Sequence, residues 1–80
     1  MMYSIYVGHY DSPAVSKSDV AKLNRMGLTG FIFSRGDYYA IKVFSSPNQQ
    51  LITEWKKNLE KIGFSVEVEV IDLKKSLHLN

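Results

Sequence analysis

The sequence predicts one α+β domain, a β-sheet with two helices packed on one of its faces, and three observations predict it. Residues 3–9, 28–34, 38–44 and 64–71 have the alternation, or the β-branched and aromatic content, of strands. Between them, Val20, Leu23 and Met26, and then Leu51, Ile52, Trp55, Leu59 and Ile62, recur at the spacing of amphipathic helices. The order is strand-helix-strand twice over. The halves are related at an offset of 36 positions, which carries Tyr3, Ile5, Val7, Leu23, Met26 and Gly27 onto Tyr39, Ile41, Val43, Leu59, Ile62 and Gly63.

The first strand directs Tyr3, Ile5 and Val7 to a core and Ser4, Tyr6 and Gly8 away from it, with Tyr10 close behind on the outer face. Tyr10-Asp11-Ser12-Pro13 breaks the pattern. In the first helix Ser16 is the expected N-cap, Asp19 its capping-box partner, Val15 and Val20 a hydrophobic staple, and Gly27 the left-handed stop. The second strand puts Thr29, Phe31 and Phe33 on one face and Leu28, Gly30 and Ile32 on the other. Ser34-Arg35-Gly36-Asp37 is a tight turn in which Gly36 takes a positive φ. The third strand turns Tyr39, Ile41 and Val43 one way and Tyr38, Ala40, Lys42 and Phe44 the other. Ser46 is the expected cap of the second helix, with Pro47 in its first turn, Gln49 as a capping-box residue and Gly63 at its end. The last strand sends Phe64, Val66, Val68 and Val70 inward and Ser65, Glu67, Glu69 and Ile71 outward, the glutamates guarding a sheet edge. A doubled unit of this kind makes a ferredoxin-like βαββαβ sandwich: a four-stranded antiparallel sheet, first and third strands central, both helices on one face. Residues 1–72 form the domain, and 73–80 a C-terminal tail or short terminal helix.

Eighty residues with 45% hydrophobic and 22% charged content suit one small globular core. Without cysteine there is neither a disulfide nor a thiolate metal site. A net charge of +2, with its cations scattered, does not by itself argue for a polyanionic partner. No apolar run reaches the roughly 20 residues of a membrane span, and no signal peptide precedes the first strand. Catalytic chemistry has no constellation to rest on. His9 and Asp11 lack an activated nucleophile, His9 and His78 lack metal-ligand spacing, and Glu67 and Glu69 read as solvated edge charges. Arg35-Gly36-Asp37 spells an integrin-type adhesion triplet that turn chemistry explains equally well. The chain reads as a binding module, not an enzyme, with no cofactor and no metal.

With both helices on one face, the other is left open, carrying Tyr6, Gly8, Phe31, Phe33, Ala40, Lys42 and Phe44, with Glu67 and Glu69 at one edge. Burying one such ring is worth about 1.5–3 kcal/mol, so several exposed rings imply a ligand or a partner. Tyr6, Phe31, Phe33 and Phe44 are the candidate stacking residues. Lys42, His9 and Tyr10 are candidate hydrogen-bonding groups, and Gly8 keeps the surface flat. Two other readings compete: Leu73, Leu77 and Leu79 of the tail packing onto the rings, and a homodimer through the sheet.

The order of motifs resembles the SPOR (sporulation-related repeat) domain. Its first strand follows a hydrophobic-Gln-hydrophobic-Gly-x-aromatic pattern, here Ile5-Tyr6-Val7-Gly8-His9-Tyr10, with Tyr6 in the glutamine's place. Helices ending in Leu-x-x-x-Gly correspond to Leu23 to Gly27 and Leu59 to Gly63. A Tyr-x-Val-x-Val strand corresponds to Tyr39-Ala40-Ile41-Lys42-Val43, and aromatic-Ser-Ser to Phe44-Ser45-Ser46, with no Gly-Pro between Val43 and Phe44. The resemblance spans residues 3–71. It implies a non-catalytic module that binds peptidoglycan glycan strands stripped of their peptides, and a place in the cell envelope if the chain is part of a larger exported protein. A second resemblance, to the RNA-recognition fold, rests on Ile5-Tyr6-Val7-Gly8 and Arg35-Gly36 and implies single-stranded RNA stacked on the same face. Against it, the third strand lacks a Phe-x-Phe core, and the basic residues do not gather on the sheet.

Overall fold

The computed structural model describes residues 1–72. The predicted tail 73–80, and with it the packing of Leu73, Leu77 and Leu79, lies outside the described residues. The chain runs β1 (Met2–Tyr10), α1 (Lys17–Arg25), β2 (Phe31–Ser34), β3 (Tyr39–Ser46), α2 (Gln49–Ile62) and β4 (Val66–Ile71). The strands form one antiparallel sheet in the order β2-β3-β1-β4. This is the doubled, ferredoxin-like α+β arrangement, with β1 and β3 central. Ile5, Val7 and Ile41 are fully buried against Leu23 of α1 and Ile52 and Leu59 of α2, so both helices cover one face.

Two irregularities break the alternation expected from the sequence. Along β1 and β3, Val7 pairs with Ile41 and Tyr10 with Tyr39, so β1 holds one extra residue at Gly8-His9. An extra residue shifts every later side chain to the opposite face. Tyr10 therefore turns into the core, 9% exposed, and is not on the open face. Gly8 makes the bulge feasible. Its φ is +82°, and a Cβ there would run into the Tyr10 ring. The second irregularity lies in β3, where Ile5 pairs with Phe44 and Tyr6 with Lys42, leaving Val43 as the extra residue. Phe44 consequently shares the core face with Ile5 and packs against Trp55 of α2, with 6.3 Å between ring centroids. It too was expected on the open face and is not there.

The helix starts also differ from expectation. Ser16 is buried at the start of α1, but its hydroxyl donates to the Pro13 carbonyl at 2.7 Å instead of capping. Asp19 accepts from the Tyr10 hydroxyl at 2.6 Å, and Val15 is exposed, so neither capping box nor staple forms. Asn48 caps α2 by accepting from the Leu51 N–H, while Ser46, two residues before the cap, accepts from the Asn48 N–H. The stops are as read: Gly27 and Gly63 follow α1 and α2 in left-handed conformations. Among the described residues no helix is long and apolar enough to cross a membrane.

Candidate ligand-binding face

The face away from the helices is set by a cross-strand row, Phe31–Lys42–Tyr6–Glu67, with Phe33 and Ala40 paired on one side and Ser45, Ser4 and Glu69 on the other. The pseudo-repeat makes this face chemically lopsided, since the 36-residue offset carries Phe31 and Phe33 of one edge strand onto Glu67 and Glu69 of the other. One edge is therefore aromatic and the other acidic.

The acidic half is closed by the β2–β3 hairpin. Arg35 lies with its guanidinium carbon 4.2 Å from the Tyr6 ring centroid. The same guanidinium reaches Glu69 at 3.1 Å and Glu67 at 3.6 Å. The hydroxyl of Tyr6 donates to Glu69 at 3.3 Å, and that of Tyr38 to Glu67 at 2.9 Å. His9 stacks on Tyr38 at 4.0 Å between centroids. Tyr6, expected as an open platform, is only 6% exposed. Burial first, and Glu69 next, raises its phenol above the ordinary value. The carboxylates have a structural duty that edge protection did not predict: they anchor the hairpin. With Arg35 folded inward, Arg35-Gly36-Asp37 is not displayed as an adhesion triplet.

The aromatic half stays open. Phe31 is 59% and Phe33 44% exposed. β2 pairs with β3 only as far as Lys42, while β3 runs on to Ser46. That difference in length leaves a notch, a shallow groove of about 250 Å³ lined by Thr29, Phe31, Phe33, Lys42, Val43, Phe44 and Ser45. Lys42 holds its ammonium 5.7 Å from the Phe33 ring centroid, a separation at which cation and ring attract. At the far end of the face the Ser4 and Ser45 hydroxyls hydrogen-bond at 2.8 Å.

Of the eight residues expected to bind ligand, the structure gathers Phe31, Phe33 and Lys42 at the groove. Phe44 borders it from the core side. Tyr6 lies beneath Arg35, His9 stands on the hairpin, Gly8 forms the bulge and Tyr10 is in the core. Thr29 and Ser45 are additions. Both flank the expected residues by one or two positions. The sequence gives the two strands equal lengths, and the mismatch that opens the groove appears only in the structure, where β2 is four residues long and β3 eight. Arg35 was read as part of a turn, of an adhesion triplet and of the RNA-recognition resemblance, and not as a partner of Glu67 and Glu69. Its signal was the pair of outward carboxylates two positions apart beside an aromatic row, an arrangement that calls for a cation. Among the described residues no cluster of His, Cys, Asp or Glu is arranged to hold a metal ion.

No family model matches the sequence, and no curated protein matches it. The structure is similar to the solution structure of the peptidoglycan-binding domain of the B. subtilis cell wall lytic enzyme CwlC, with a TM-score of 0.71 and 13% sequence identity, covering 89% of this chain and 90% of that one. At that identity the likeness is one of fold.

Proposed function

We propose that this chain is a non-catalytic module of the SPOR type that binds peptidoglycan glycan strands at the cell envelope. The fold it shares with a peptidoglycan-binding domain supports the class of ligand. The observation that carries the reading is the exposed Phe31–Phe33 pair beside Lys42, at the mouth of a groove on the sheet face that the helices leave bare. Sugar rings present C–H faces that pack on aromatic rings, and a few polar groups fix their orientation. Phe31 and Phe33 supply the rings, and Lys42, Thr29 and Ser45 the polar groups. Tyr6 acts indirectly, as the support on which Arg35 and the hairpin rest. A nucleic-acid backbone would engage several cations. Here Arg35 is already matched by two carboxylates, leaving Lys42 at the groove as a cation with no ion pair among the described residues.

The test is retention on purified sacculi, before and after amidase removes the peptides, with a single-stranded RNA pool run alongside at two salt concentrations. Retention that rises with amidase treatment is the expected result. Salt-sensitive RNA binding without retention on sacculi would overturn the reading.

A further inference from the structure

We propose that Lys42 selects for a free carboxylate, so that the groove prefers a sugar bearing an ionised carboxyl over the same sugar with that carboxyl capped as an amide; this rests on the glycan reading above. The argument begins with how charge is divided on the open face. Tyr6 separates Lys42 from Glu67 along the cross-strand row. On the far side of Tyr6, both carboxylates are occupied by Arg35 and by the hydroxyls of Tyr6 and Tyr38. On the near side, Lys42 forms no ion pair among the described residues, and its ammonium rests by the face of Phe33. The fixed acids of the face cannot serve it without giving up Arg35.

The groove thus offers one unbalanced positive charge beside two exposed rings. One ammonium matches one anionic group. It has neither the fork geometry nor the number of cations that favours a phosphate. Peptidoglycan supplies such a group conditionally. The lactyl carboxyl of its muramic sugar is a neutral amide while the peptide is attached and a carboxylate once that amide is hydrolysed. Lys42 would therefore read the chemical trace of peptide removal, beyond any relief of steric bulk.

The experiment titrates the protein with peptide-free glycan tetrasaccharide and with the same tetrasaccharide whose lactyl carboxyls are converted to methylamides. The free acid is expected to bind about tenfold more tightly, the usual scale for one charge-assisted hydrogen bond. Lys42→Gln should erase the preference, and Lys42→Arg should keep it. Equal binding of acid and amide by the unmutated protein, or a preference that survives in Lys42→Gln, overturns this inference and leaves the glycan reading standing. Binding of neither form overturns both.

Discussion

Phe33 and Tyr6 meet edge to face, with 6.3 Å between ring centroids, yet their removal should leave opposite signatures. Phe33 is 44% exposed, so Phe33→Ala should change unfolding free energy by less than about 0.5 kcal/mol while cutting retention on sacculi by about tenfold or more. Tyr6 is buried beneath Arg35, so Tyr6→Ala should cost about 2–4 kcal/mol in a urea titration and lose binding through loss of structure. Tyr10 adds a pH dependence. Burial first, and the hydrogen bond to Asp19 second, lift its phenol well above the ordinary 10.0. The folded state then holds a proton that the unfolded chain releases. The resulting stabilisation is complete below the unfolded value and disappears as pH rises above it toward the folded value. Urea midpoints should accordingly fall as pH rises above about 10, the value of the unfolded phenol, and Tyr10→Phe should make that fall shallower.

At the level of strands and turns, the two bulges and the hairpin decide which side chains reach the open face. Gly8→Ala should destabilise by about 1–3 kcal/mol, because a non-glycine residue is strained at that φ and its methyl would meet the Tyr10 ring. The Arg35–Glu69 contact joins side chains 22% and 36% exposed. A double-mutant cycle should therefore give a coupling of only about 0.2–1 kcal/mol. Hydrogen exchange in the hairpin should nonetheless quicken in Arg35→Ala, since Tyr6 and both carboxylates lose their shared partner. Period-two alternation was enough to place Ile5, Val7 and Ile41 in the core and to find the sheet, and the 3.6-residue spacing found the helices. Phe31 and Phe33, on a strand apolar on both faces, were assigned to the open face only through the fold that those elements imply. Alternation failed for Tyr10 and Phe44, because one inserted residue reverses facing without altering the pattern of letters beyond it. It was silent on Arg35, whose partner Glu69 lies 34 positions away. Contacts of that range are created by the fold and leave no local period.

For the molecule as a whole, doubling of one strand-helix-strand unit yields a symmetric skeleton with an asymmetric face. Both halves supply a central strand, a helix and an edge strand, but phenylalanines on one edge answer to glutamates on the other. One half of the face is thereby locked by its own hairpin and the other kept free. The central position of β1 has a further consequence. It pairs β4 along its length, Met2 opposite Ile71 and Val7 opposite Val66. Facing residues of antiparallel strands stand about 4.5–5.5 Å apart, so the backbone enters and leaves the described fold side by side. Such a unit can be grafted into a surface loop of an unrelated host with little prising apart of the host's own anchor points. A fusion of this kind should melt in two separate transitions, and the graft would carry the Phe31–Phe33–Lys42 groove, with the glycan binding proposed for it, to a scaffold that never had one.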